Sequence, residues 1–270
     1  MADDFDKLFA TAPKAVVDYF DRRPNVPTFD WRDIAPREHA LGFTVAKTAG
    51  FDVIKDLRDG VRQAVVDQIP FDQFQKQLTP ILQQKGWWGR KLVPDGDRQV
   101  VAQLGSPRRL LTIYNANVAS SYAVGEWSRI QETKEFLPYL RYLTSISERK
   151  RPEHLSWVGT TLPVDDDWWK THFPPNAWNC KCRVEQISGP EARRTPAEKR
   201  VAPSLDEKPW RNKRTGEIEN IPAGIDPGWQ HNPGLMRDRS MSMRLQQAIE
   251  QLPAREHLPG RAGEAASTAC

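Results

Sequence analysis

PYLRYLTSISERKRPEHLSWVGTTLPVDDDWWKTHFPPNAWNCKCRVEQIS, residues 138–188, is the stretch whose reading decides the fold. It holds two of the five histidines (His154, His172), two of the three cysteines (Cys180, Cys182) and four of the ten tryptophans (Trp157, Trp168, Trp169, Trp178). Leu140, Tyr142, Thr144 and Ile146 alternate with other residues, which is the period-two pattern of a half-buried strand. The basic turn Glu148-Arg149-Lys150-Arg151 follows. Pro152 then sets the first turn of a short helix carrying Glu153, His154 and Trp157, and Gly159 stops it. A loop through Leu162-Pro163-Val164 leads to Asp165-Asp166-Asp167, whose charges suit the start of a helix holding Trp168, Trp169 and His172. Pro174 and Pro175, ahead of Asn176, end that helix because proline lacks an N–H and crowds the preceding turn. Cys180, Cys182 and Val184 then alternate as a second strand. The segment reads as strand, two helical turns, strand.

Three chemistries compete for it. His154, His172, Cys180 and Cys182 form a Cys2His2 set, and residues i and i+2 of a strand point both thiols to one face. Their spacing argues against metal, since C-x-C is tighter than the usual C-x2-4-C and H-x17-H fits no common finger. A hydrolytic site would combine Arg149, His154 and the Asp165–Asp167 run, but acidic residues before an aromatic helix more often cap it. The third reading is a structural clamp in which Trp and Pro rings pack a rigid loop region around the paired strands. Residue chemistry favours the clamp, and no metal or other cofactor is expected.

A chain of 270 residues can bury a substantial core. Hydrophobic content of 39 % together with 22 prolines and 16 glycines predicts long connections or tails beside that core. A net charge of +4 is too small to diagnose nucleic-acid binding without clustering. Three cysteines make no disulfide framework, so folding in a reducing cytoplasm is expected. No signal-peptide core opens the chain and no run of 18 apolar residues occurs, so a soluble chain with no membrane contact is expected.

Four segments are expected: 1–50, 51–135, 136–188 and 189–270. The first twelve residues are polar. A short helix after Pro13 carries Ala15, Val16, Tyr19 and Phe20, and Asn25–Trp31 reads as an extended linker. A helix is expected over Pro36–Lys47, with His39 as a packed or surface residue. Phe51, Ile54, Leu57, Val61 and Val65 recur at helical spacing, as do Phe71, Phe74, Leu78, Ile81 and Leu82 with a break or kink near Pro80. Trp87 and Trp88 should pack on the core, because two exposed indoles are costly. Residues 90–106 read as a connection. Ser106-Pro107 then caps the longest helix, to about Gln131, with Leu111, Val118 and Tyr122 on one side and Ile113, Val124 and Trp127 on the other. A helix apolar on two sides is central to its bundle. Residues 189–220 hold eight Lys/Arg and six Asp/Glu and read as a solvated arm. Residues 221–234 are loop-rich, Met236–Leu252 is a further amphipathic helix, 253–270 is disordered and Cys270 is incidental. No P-loop, dinucleotide fingerprint or nucleophile elbow occurs, which disfavours nucleotide-using and triad enzymes.

The strings Arg151-Pro152-Glu153-His154, Gly159-Thr160-x-Leu162-Pro163-Val164-Asp165-Asp166, Trp169-x-Thr171-His172-Phe173-Pro174-Pro175-Asn176 and Cys180-Lys181-Cys182-Arg183-Val184 resemble the phage Mu protein F-like family of head morphogenesis proteins. The resemblance continues through Lys85–Gly89, Arg108–Asn115, Gly224–Trp229 and Asn232–Gly234, so it covers roughly residues 13–235. Arg149-Lys150-Arg151-Pro152 stands where some wider members carry a C-x-x-C pair, which counts further against a metal. The resemblance implies a minor capsid protein of a tailed phage or prophage, found in the virion at the head or portal and in the host cytoplasm during assembly. Implied partners are the portal protein, the major capsid or scaffold proteins and non-specific double-stranded DNA during packaging or ejection. Arg149, Lys150, Arg151, Lys181 and Arg183 are the candidate DNA or portal contacts. Pro152, His154, Trp157, Gly159, Pro163, Asp165, Asp166, Trp169, Pro174, Pro175, Asn176, Cys180 and Cys182 are the structural motif. The expected class is α+β: a helical N-terminal half, a compact C-terminal segment with a small β-sheet, and an extended C-terminal arm. No enzymatic activity is expected. The alternative is a metal-dependent or nuclease-like module using His154, His172, Cys180 and Cys182, while a DNA-binding regulator is disfavoured because no recognition-helix module is visible.

Overall fold

Val16, Tyr19 and Phe20 fall on one side of a helix over Lys14–Asp21 (α1), and that side is buried. A computed structural model describes residues 12–33, 41–95, 97–204 and 206–235. His39, the expected helix over Met236–Leu252, the tail to Cys270 and the first eleven residues lie outside the described residues.

The amphipathic pattern produces α2 (Ile54–Val66), which buries Leu57, Val61 and Val65, and α3 (Phe71–Gln84), which buries Phe74, Leu78 and Leu82. The second of these continues past Pro80 instead of breaking there. Trp87 is fully buried in this core, and its indole N–H donates to the Lys47 carbonyl at 2.5 Å. Residues 25–27 form β1 (Asn25–Pro27), which pairs in parallel with β2 (Phe43–Val45). The helix expected over 36–47 is therefore corrected across its described part. Phe43 and Val45 are buried on the sheet, where β-branched and aromatic residues pack well.

Residues 90–106 are also more ordered than a connection. β3 (Arg90–Asp95) and β4 (Arg98–Gln103) form an antiparallel hairpin. Ser106 then caps α4 (Pro107–Thr133), its side chain accepting from the Arg109 N–H at 3.2 Å. This helix, about 40 Å long, belongs to two hydrophobic clusters. Leu110 and Ile113 join Phe20, Phe43, Leu57, Phe74 and Trp87 in the first. Ala123, Trp127 and Ile130 join Leu140, Tyr142, Trp157, Trp168 and Trp169 in the second. Leu111, expected inside, is 39 % exposed, and Leu110 takes the core position.

The decisive segment folds on the far end of α4. β5 (Tyr139–Leu143) buries Leu140 and Tyr142, but Thr144 and Ile146 lie beyond it and are exposed. α5 (Pro152–Ser156) starts at Pro152, and Gly159 turns the chain at φ +84°. The stretch expected as a loop at Leu162-Pro163 is β6 (Thr161–Pro163), antiparallel to β5. α6 (Trp169–His172) follows, and the Asp166 side chain accepts from the Trp168 N–H at 2.9 Å, the capping role expected of that acidic run. β7 (Arg183–Ile187) completes a sheet of order β6-β5-β7. Cys180 and Cys182 precede this strand rather than lying in it.

Residues 189–235 extend the α+β fold with structure the composition did not suggest. α7 (Gly189–Arg194) is capped by Ser188. β8 (Glu207–Arg211) and β9 (Ile218–Pro222) form a hairpin. At the turn of that hairpin Arg214 donates to Asp33 at 2.9 Å and to Asp95 at 2.7 Å, and Trp210 stacks on Trp31 with centroids 5.9 Å apart. This arm is a strap that returns to the N-terminal half. It then enters the second cluster through Ile221, Ile225 and Trp229. Among the described residues no helix is long and apolar enough to cross a membrane.

Candidate functional site

Tyr142, His154, Trp157, Trp168, Trp169 and His172 are all buried and form one aromatic nest under the three-stranded sheet. Trp157 stands edge-on to Tyr142 (5.7 Å, 85°) and to Trp168 (6.0 Å, 87°). His154 stacks on Trp157 at 4.7 Å and His172 stacks on Trp168 at 4.4 Å. Each such pair adds roughly 0.5–1.5 kcal/mol beyond its area burial. The nest is polar at its edges. The Tyr142 hydroxyl donates to Asn176 Oδ1 at 2.9 Å, and the Trp169 indole N–H donates to the Pro163 carbonyl at 3.0 Å. Burial pushes the Tyr142 hydroxyl up and drives the His172 ring down to about 4, with nearby His154 adding to the second effect. His172 is thus a neutral packing ring, with Thr171 Oγ1 2.7 Å from its Nδ1.

His154 is oriented differently. A carbonyl oxygen only accepts, so the 2.8 Å contact between His154 Nε2 and the Gly224 carbonyl places the proton on Nε2. Nδ1 then faces the two sulfurs, 3.7 Å from Cys180 Sγ and 3.5 Å from Cys182 Sγ. Helix α5 supplies the histidine and the link before β7 supplies both sulfurs. Of the four candidate ligands the fold therefore gathers three, and His172 stays in the aromatic stack. A hydrogen bond from the Cys182 thiol holds Cys180 well down against the opposing effect of burial. The same bond and burial push Cys182 up.

The other motif residues support this frame. Pro152 opens α5, Gly159 turns it back to β5, and the Gly159 N–H donates to the Tyr142 carbonyl at 2.9 Å. Buried Pro174 and Pro175, joined by a cis peptide bond, lead to fully buried Asn176, whose amide donates to the Phe173 and Thr171 carbonyls. Asp165 takes an ion pair from Lys134 and Asp166 caps the turn, so neither stands beside His154 as a catalytic partner.

The five basic candidates divide. Arg149, Lys150 and Lys181 are exposed. Arg151 makes a two-pronged bond to Asp226 (2.9 and 3.0 Å), which ties α5 to the turn after β9. Arg183 is exposed but lies close enough to Glu126 for its charge to oppose the burial that raises the Glu126 carboxyl. Asp226 and Gly224 anchor Arg151 and His154 from 75 and 70 positions away, and in the sequence they stand in a loop-rich ending and in the Gly224–Trp229 string of the resemblance, with no role of their own. The Gly-Ile-Asp-Pro-Gly string was their one signal.

Residues 55–185 match the family described as phage Mu protein F like protein. A protein of Escherichia phage Mu named as capsid assembly protein F is 34 % identical over an alignment of 240 residues that covers 82 % of this chain and 54 % of that one. The FluMu F protein of a Mu-like prophage in Haemophilus influenzae is 36 % identical over 161 residues, 60 % of this chain and 38 % of that one. The chain thus spans about half or less of the length of these relatives. No solved structure gives a significant match. Through the matched residues the chain belongs to the phage Mu protein F-like family.

Proposed function

We propose that this chain acts in phage head morphogenesis as a minor capsid protein, associated with the head and its portal in the virion and present in the host cytoplasm during assembly. The observation that carries the reading is the 240-residue similarity, over 82 % of this chain, to a protein named for capsid assembly. The chain acts by binding rather than by catalysis. Its partners are the portal protein and the major capsid or scaffold proteins, with non-specific double-stranded DNA as a further contact during packaging or ejection.

Exposed Arg149, Lys150 and Lys181 are the contact residues in this reading, since Arg151 is committed to Asp226 and Arg183 lies beside the Glu126 carboxyl. They meet an acidic portal surface or a phosphate backbone. Capture of the portal protein of the same genome tests the contact, with Arg149, Lys150 and Lys181 changed together to alanine in a second sample. The reading predicts capture by the native chain and clear weakening by the triple variant. It also predicts that DNA retention falls steeply with salt, because each phosphate contact releases counterions. Equal capture by both forms would remove these residues from the interface, and a flat salt response would remove DNA from the partners.

A further inference from the structure

We propose that His154 Nδ1, Cys180 Sγ and Cys182 Sγ form a binding site for one zinc-class divalent ion that clasps helix α5 to the link before β7. The first support is geometric. Bonds of about 2.3 Å to sulfur and about 2.0 Å to nitrogen at tetrahedral angles separate a sulfur from a nitrogen by roughly 3.5–3.6 Å. The two sulfur–nitrogen separations here are 3.7 and 3.5 Å, and all three donor atoms lie within 4.8 Å of one another. The second support is orientation. The Gly224 carbonyl accepts a hydrogen bond from the Nε2–H, as the outer-shell partner of a ligating histidine ordinarily does, and this fixes Nδ1 toward the sulfurs. The third is donor chemistry, because two thiolates with one imidazole suit zinc and exclude magnesium or calcium.

Sequence spacing disguised this set, since 26 residues separate His154 from Cys180. The chain turns through Asn179 at φ +57° just before Cys180, and Cys182 directly precedes β7. Among the described residues no fourth His, Cys, Asp or Glu joins the group, so water takes the remaining position, on the partly exposed side at Cys180. The ion joins elements 26 residues apart and, through His154 and Gly224, couples them to the end of the strap.

The test uses the purified full chain, prepared under reducing conditions. Elemental analysis should find about one zinc per chain. Cobalt(II) added to chelator-stripped protein should give the intense near-ultraviolet absorption of thiolate-to-cobalt charge transfer. Replacement of both cysteines by serine should abolish the metal and the band, while His154→Ala weakens metal retention at least tenfold. Should the variants fail to fold, the cobalt spectrum and alkylation of the native chain still decide the matter, because bound metal shields both thiols from iodoacetamide until a chelator is added. Metal-free protein that takes up neither zinc nor cobalt, with both thiols freely alkylated, would overturn the proposal. So would a Cys180–Cys182 disulfide in the reduced preparation.

Discussion

His172 shows how one residue type can be read for chemistry and used for packing. It is 2 % exposed and stacked on Trp168, and burial holds its ring neutral, down to about 4 against an ordinary value near 6.5. Between those two values the unfolded chain carries a proton that the folded chain refuses. Stability therefore falls as pH drops from about 6.5 to about 4, by up to roughly 3 kcal/mol. Urea midpoints at neutral and mildly acidic pH check this. His172→Phe, which keeps a ring on Trp168, should show a smaller loss over the same interval, and equal losses in the two proteins would assign the acid sensitivity elsewhere. In the sequence His172 and His154 look alike, each a histidine three positions from a tryptophan. What separates them is the Gly224 carbonyl, which only the tertiary fold delivers.

At the scale of elements, the turn that carries Gly224 is as much a part of the site as α5. Gly224 has φ +88°, and a Cβ there would lie 2.8 Å from Glu153 Cβ and 2.8 Å from Trp157 Cζ2. Gly224→Ala combines backbone strain with a collision against a buried indole, each costing about 1–3 kcal/mol. Denaturant unfolding should show a loss of at least about 2 kcal/mol, and an unchanged midpoint would mean the turn yields freely. The helices were legible in the sequence because apolar residues recur at their period, as in Phe74, Leu78 and Leu82. The small sheets were less so. Leu92 and Val101, which pair across the β3–β4 hairpin, are 64 % and 62 % exposed while neighbouring Val93 and Ala102 are buried, so both faces carry apolar residues and the sequence shows no clean polar–apolar alternation there. β6 is three residues long and ends in proline, a composition that reads as loop. β1 and β2 are parallel partners on either side of residues 28–42, and that pairing has no local signature.

Over the whole molecule, α4 holds the two clusters together and the strap holds their ends. The sequence reads the helix as apolar on two sides, but its two cores divide along its length, with Leu110 and Ile113 in the first and Ala123, Trp127 and Ile130 in the second. It did not announce the strap, because Arg214 and Trp210 look like ordinary solvated residues until Asp33, Asp95 and Trp31 are brought to them. A chain tied in this way offers partners fixed surfaces, and the account's central claim is that those surfaces serve assembly of a phage head. The direct measurement is the yield of DNA-filled heads from the parent phage or prophage with this gene interrupted by a stop codon, alongside mass spectrometry of heads made with it intact. The account predicts that intact heads contain the protein, that interruption lowers filled heads by at least tenfold, and that supplying the full chain in trans restores them. Filled heads at normal yield without the protein, together with its absence from purified heads, would contradict it.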